Sequence, residues 1–181
     1  MIKEKKEKLL LHACCAPCAT HVIDLLSQSY KLTVLFYNPN IQPEDEYAKR
    51  LGDMIKLCDI KKTELLVPGY DPEVWIESTK GLEAVPEGHE RCSVCFDVRF
   101  KKVAETAAAS GCPIFASTLT VSPHKNPKVI NSIGINAADK FGIEFLQEDF
   151  KKKDGFKRSC ELSEKYGLYR QKYCGCLYSI G

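Results

Sequence analysis

Residues 9–18 read Leu9-Leu10-Leu11-His12-Ala13-Cys14-Cys15-Ala16-Pro17-Cys18. The leucines and Ala13 read as the buried first strand of a sheet, and the apolar run stops at three thiols packed into five positions. Pro17 cannot extend a strand but suits the first turn of a helix. The thiols therefore fall at a strand-to-helix junction, where backbone N–H groups and a helix N-terminus point at them. Such a setting lowers a thiol pKa and favours thiolate, the form that ligates metals or attacks disulfides. The stretch reads as a metal-binding junction.

Outward from it, apolar patterning alternates between strand and helix. Strand 8–13 leads to a helix over about 17–29, whose Val22, Ile23, Leu25 and Leu26 make one face. Strand 32–37 is a continuous apolar run of the kind buried in parallel sheets, and it breaks at the turn-rich 38–43. A helix over about 44–58 follows, with acidic residues in its first turn. Strand 63–67 precedes a short helix around Trp75. The stretch 91–110 predicts one helix closed by Gly111, then strand 113–117, a polar, proline-broken 118–126, a helix near 127–141 and a short strand 143–146. A last helix is predicted over 159–166. This alternation predicts a three-layer α/β fold with a mostly parallel sheet. Ligands in such sheets gather beyond the carboxyl ends of the strands, which places 14–18, 38–40, 68–70 and 117–120 along one rim.

The 181 residues suit one domain with a real core. A hydrophobic share of 44%, a charged share of 28% and a net charge of +2 describe a soluble globular protein and make no claim on nucleic acid. The charged start, 1–7, and the short leucine run interrupted at His12 do not form the apolar region of about 7–15 residues that a signal peptide needs. No stretch approaches the ~18 apolar residues of a membrane span. A cytoplasmic location is expected.

Ten cysteines are unusual for such a chain, and they stand close together: Cys14-Cys15, Cys92-x-x-Cys95 and Cys174-x-Cys176. Close pairs suit a shared metal or redox centre better than loops tied across a fold. Cys92 and Cys95 share a helix face, and with Cys14 and Cys15 they make a four-thiolate set suited to zinc or an iron–sulfur cluster. Its place on the ligand rim favours the redox cluster. Cys174 and Cys176, among Tyr169, Tyr173 and Tyr178, suit a redox disulfide or a second metal ion. The rival reading takes Cys15-Ala-Pro-Cys18 as a thioredoxin-like C-x-x-C, with Cys18 resolving Cys15 and no metal. Cys58 and Cys112 read as small buried hydrophobes, and His12 as a hydrogen-bonded core histidine. Asp97 either complements the helix dipole or joins a metal. Asp149 and Tyr47 read as surface residues.

Between 149 and 172 eight basic residues (Lys151, Lys152, Lys153, Lys157, Arg158, Lys165, Arg170, Lys172) stand against Asp149, Asp154, Glu161 and Glu164. Phe150, Phe156, Tyr166 and Tyr169 are interleaved with them. Basic residues with aromatics suit phosphate contacts plus stacking on an unpaired base.

Taken together, His12-Ala-Cys-Cys-Ala-Pro-Cys18, Asn38-Pro-Asn-Ile-Gln-Pro43 with Glu46-Tyr47, Arg91-Cys-x-x-Cys-Phe-Asp-x-Arg99, Ser122-Pro-His-Lys125, Glu148-Asp-Phe-Lys151 and Tyr169-Arg-Gln-Lys-Tyr-Cys-Gly-Cys176 resemble the QueH family, in order and over nearly the whole chain. Phe96 stands where a tyrosine is expected. The resemblance implies an oxidoreductase, a cobalamin-independent epoxyqueuosine reductase. Its reaction removes the epoxide oxygen of epoxyqueuosine in tRNA to leave the cyclopentene of queuosine. It implies a nucleotide-binding α-hydrolase-like, Rossmann-like fold in one domain over 1–181, its basic, aromatic segment at about 149–181 closing over the metal site. It implies a [4Fe–4S] cluster on Cys14, Cys15, Cys92 and Cys95, and a redox-active Cys174/Cys176 pair or a second, mononuclear iron at Cys18, Asp97, Cys174 and Cys176. Catalytic roles fall on Cys174, Cys176 and Asp97. The implied partners are tRNA carrying epoxyqueuosine, held by Lys151, Lys152, Lys153, Lys157, Arg158 and Arg170, and an electron donor; no membrane is implied. The competing class is a cluster-free thiol–disulfide oxidoreductase or zinc-binding module.

Overall fold

The structure, a computed structural model, describes residues 6–180, so residues 1–5 of the expected charged start lie outside the described residues. Strands β1 (Glu7–His12), β2 (Tyr30–Leu35), β3 (Glu64–Leu66), β4 (Ile114–Ser117) and β5 (Glu144–Phe145) form one sheet in the order β3-β2-β1-β4-β5, every pairing parallel. The helices are α1 (Ala16–Leu26), α2 (Glu44–Lys61), α3 (Pro72–Ser78), α4 (Glu90–Ala109), α5 (Pro127–Asp139) and α6 (Gly155–Lys165).

Leu9, Leu10 and Leu11 are each 0% exposed, as a central strand covered on both faces requires. Leu9 and Leu11 pack with Val22 and Ile23 of α1 and Met54 and Leu57 of α2. Leu10 points the other way, into a cluster with Phe100 and Val103 of α4 and Ile130 and Ala137 of α5. The alternation of side chains along one strand thus builds the three layers.

β1 pairs with β2 (His12↔Leu35) and with β4 (His12↔Ser117). The chain leaves β1 toward β2 and β3 on one side and returns to β4 on the other. The strand order therefore reverses at β1, and the crossovers part beyond its carboxyl end. Residues 13–18 occupy that gap.

Several elements differ from expectation for local reasons. The last helix begins at Gly155 rather than near 159, and a Cβ at Gly155 would collide with the Phe150 carbonyl, so only glycine fits its first position. The polar stretch after β4 opens with a 3₁₀ turn, Thr118–Val121, whose Leu119 N–H donates to the Ser117 hydroxyl. Tyr47 is buried and stacks on Tyr70 at 4.1 Å, so it belongs to the core and not to the surface.

Gly134 of α5 is a packing glycine, since a Cβ there would stand 2.6 Å from the Phe145 ring. Gly134→Ala is expected to destabilise the fold by about 1–3 kcal/mol in urea unfolding. Gly52→Ala in α2, where a Cβ meets nothing within 4 Å, should instead stabilise it by up to about 1 kcal/mol.

Candidate metal centre and its cavity

Cys15 precedes α1 in extended backbone, with Pro17 in the helix's first turn. The Cys14 N–H donates to Thr118 Oγ1 at 3.2 Å, which ties the end of β1 to the turn after β4. Here the sulfurs of Cys14, Cys15 and Cys18 all lie within 4.8 Å of one another.

Three close thiols do not ionise alike. Hydrogen bonds from Cys15 and Cys18, with a further one from Thr118, hold the Cys14 thiol well below its ordinary pKa despite burial. Donating to Cys14 pushes Cys15 up to about 12, and the same interaction, with Cys15 added, raises Cys18. The thiolate expected at the junction is favoured at Cys14 alone, and its charge keeps protons on the other two.

Beneath them, His12 is fully buried. Its Nε2 donates to the Tyr37 carbonyl (3.2 Å), so Nδ1 accepts from the Ser117 hydroxyl (3.0 Å). Burial, then the nearby Arg99 charge, lowers its pKa to about 4. His12 is the hydrogen-bonded core residue that the sequence suggested.

A second group of thiols lines a small cavity of about 20 Å³: Cys92 and Cys95 from the first turns of α4, and Cys174 and Cys176 from the C-terminal segment. Burial raises Cys92 and pushes Cys95 up to about 11. Trp75, on α3, packs into a cluster with Cys95 and Cys176. Among the described residues, Arg91 Nε and Arg99 Nη2 are buried N–H donors without a partner, and Trp75 Nε1 is directed at the Cys95 thiol. Orphaned donors around sulfur are what a bound anionic, sulfur-rich group would satisfy, and thiolates suit soft metals. The residues present fit such a group.

A larger cavity of about 530 Å³ adjoins the first thiol group, lined by Cys14, Cys18 and Cys174 and by the cations Arg50, Arg99, Lys125, Arg170 and Lys172. Among the described residues, Glu87 is the one carboxylate residue in its lining. The two cavities share Glu87, Lys125 and Cys174. Lys125 Nζ lies 3.4 Å from Cys174 Sγ. Burial works against its charge, but Cys174 and then Cys14 outweigh that and raise its pKa.

The structure thus groups Cys14 and Cys15 with Cys18, and Cys92 and Cys95 with Cys174 and Cys176. Asp97 lines neither cavity; its carboxylate pairs with Lys101 at 2.6 Å, one turn along α4. Cys58 and Cys112 are buried in the two core clusters. Lys151 turns inward to the Lys125 carbonyl (3.1 Å), whereas Lys152, Lys153, Lys157 and Arg158 are exposed. Sequence reasoning assigned no role to Arg50, Trp75 or Lys125. Lys125 carried a motif signal only, and the other two carried none that spacing could reveal.

A family model described as epoxyqueuosine reductase QueH matches residues 9–181. Proteins named epoxyqueuosine reductase QueH are similar to this chain. The one from Streptococcus pyogenes serotype M1 is 42% identical over 180 residues, covering 96% of this chain and 71% of that one. The Haemophilus influenzae protein is 39% identical, covering 99% and 76%, and the Thermotoga maritima protein 34%, covering 95% and 90%. Among solved structures, the U34-tRNA thiolase NcsA from Methanococcus maripaludis, solved with its [4Fe–4S] cluster, shares the fold. Its TM-score is 0.62 at 14% identity over 98% of this chain and 63% of the thiolase, so this chain spans less than two thirds of that protein.

The neutral state of His12 makes the fold pH-dependent in a defined window. A folded pKa near 4 against about 6.5 unfolded means the unfolded chain binds the extra proton between those values. The stabilisation is full above pH ~6.5 and falls by about 3 kcal/mol as pH drops toward 4. Urea midpoints of the metal-free protein across this range should fall more steeply for the wild type than for His12→Gln, which has nothing there to titrate.

Proposed function

The chain belongs to the epoxyqueuosine reductase QueH family, and on that premise we propose how its residues carry the reaction. It is an oxidoreductase that converts epoxyqueuosine to queuosine in tRNA, a deoxygenation that consumes two electrons and two protons and releases the epoxide oxygen as water. The observation that carries the proposal is the convergence of six thiols, from three distant parts of the chain, on two cavities that share Lys125 and Cys174, with Cys15 beside Cys14 and Cys18.

The proposed cofactor is a [4Fe–4S] cluster on Cys14, Cys15, Cys92 and Cys95, with Cys18, Cys174 and Cys176 beside it for a second iron or a redox pair. Four thiolates suit such a cluster, and the unpartnered donors of Arg91 and Arg99, with Trp75 Nε1 directed at the Cys95 thiol, support a sulfur-rich group there. Asp97 leaves the proposed set, because Lys101 engages its carboxylate. When bound, the cluster supplies electrons one at a time.

The protein's own part is recognition and charge. A cavity of about 530 Å³ falls within the roughly 300–1,000 Å³ typical of small-ligand pockets and can take a nucleoside. Its cations suit a phosphate-flanked nucleotide. Lys125 offers N–H donors to an oxygen leaving with negative charge. The exposed Lys152, Lys153, Lys157 and Arg158 would contact tRNA phosphates, with Arg170 at the cavity. An electron donor must supply the two electrons. No helix among the described residues is long and apolar enough to cross a membrane, and a cytoplasmic setting, where the tRNA is, is the proposed one.

Protein reconstituted with iron and sulfide, given a reductant and epoxyqueuosine tRNA, should yield queuosine. Cys92→Ser is expected to abolish the broad visible absorption of the reconstituted protein, and Cys112→Ser to leave it intact. A colourless protein holding stoichiometric zinc would overturn the cluster reading. Replacing Lys152, Lys153, Lys157 and Arg158 with glutamate should weaken tRNA binding and flatten its salt dependence by about one unit of slope per lost phosphate contact.

A further inference from the structure

Cys174 and Cys176 reach their cavities on a segment that lies along one polar stripe of α2. Lys56 Nζ donates to the Gly167 carbonyl (3.1 Å), Asp53 accepts from the Tyr169 N–H (2.6 Å), and Glu46 accepts from the Tyr169 hydroxyl (3.3 Å). With Arg50 between them, Glu46, Asp53 and Lys56 recur three or four apart, on one helix face.

The final grip on the thiols comes from Arg50, which is 2% exposed. Its Nη1 donates to the Cys174 carbonyl (3.0 Å) and its Nη2 to the Tyr173 carbonyl (3.2 Å), while Nε is held by Glu46 Oε1 at 2.7 Å. Gly175 follows with φ +127, and a Cβ there would stand 3.0 Å from Arg50 Nη1 and 3.1 Å from Ile41 Cγ1. On its other side the Gly175 carbonyl accepts from Gln42 N (2.8 Å). The loop is thus gripped by its main chain, so the Cys174 sulfur is left free to meet Lys125 where the cavities join.

We propose that Arg50 is a positioning residue that fixes the Cys174 sulfur at this junction through a two-carbonyl fork. The inference deepens the functional reading above and rests on Cys174 belonging to that site. A planar guanidinium can hold two adjacent carbonyls at once, and an ammonium at the same place is only a point charge. Lysine therefore preserves the charge opposite Glu46 and loses the fork.

The test is alkylation of the full chain, reduced and freed of metal by a chelator, with N-ethylmaleimide, read cysteine by cysteine by mass spectrometry. Arg50→Ala and Arg50→Lys should both raise the Cys174 rate by about tenfold, as loss of a charge-assisted pair of hydrogen bonds predicts. Cys112, deep in the core, should keep its wild-type rate. Three results would overturn the proposal: an unchanged Cys174, a Cys174 that rises in step with Cys112, or rescue by lysine. Should the arginine variants fail to fold, Gly175→Ala pushes the same loop off the guanidinium, and a selective rise at Cys174 is again required. Absence of deoxygenation in the wild-type protein would count against the activity alone and leave this readout standing.

Discussion

A strand paired on both sides can offer chemistry only at its ends, and β1 is that strand. Its ladders to β2 and β4 fix His12 opposite Leu35 and Ser117, and its leucines are sealed between two helical layers. Ala13 makes a last backbone bond to the Leu35 carbonyl, and the residues after it emerge where the strand order reverses. The Cys14 N–H to Thr118 Oγ1 bond closes that gap. Every other part of the site is placed relative to this bond: the loop ending in Lys125 continues from Thr118, and α4 carries Cys92, Cys95 and Arg99 over the same end of the sheet.

Electrostatics then selects what the gap can hold. Arg99 is 1% exposed and the Lys125 ammonium stands beside sulfur, and Glu87 alone offers a carboxylate to the larger cavity. Buried cations without anionic partners are costly unless something compensates them. Sulfur is the available compensation: against the cost of burial, Cys174 and then Cys14 favour the Lys125 charge. The same positive lining would serve a phosphate-bearing substrate, so the charge that steadies the thiols also suits an incoming nucleotide.

The core of this arrangement was legible in the residues themselves. An unbroken Leu9-Leu10-Leu11 run announces a central strand, Pro17 announces the helix after it, and Cys92-x-x-Cys95 announces a shared helix face. Those signals are local, and spacing carries them. What spacing could not carry is partnership across the chain: Arg50 meets the Cys174 carbonyl 124 positions away, and nothing near either residue marks the pair. Asp97 is the opposite case: it lies close to the thiols in sequence, yet it lines neither cavity and pairs with Lys101 one turn further on. Tyr47 and Gly155 were misjudged because burial and close approach are properties of neighbours that sequence does not list in order.

The thiols also impose an order in time. One group is complete by Cys18, whereas the other waits for Cys174 and Cys176 near the close of the described chain. A nascent polypeptide leaving the ribosome therefore presents Cys14, Cys15 and Cys18 well before Lys125 and the last two sulfurs exist to complete the pocket. Contacts so far apart in sequence form late and slowly. Any iron held by both groups would have to be installed after synthesis has passed Cys174 and Cys176, so the centre matures only once both groups have been made.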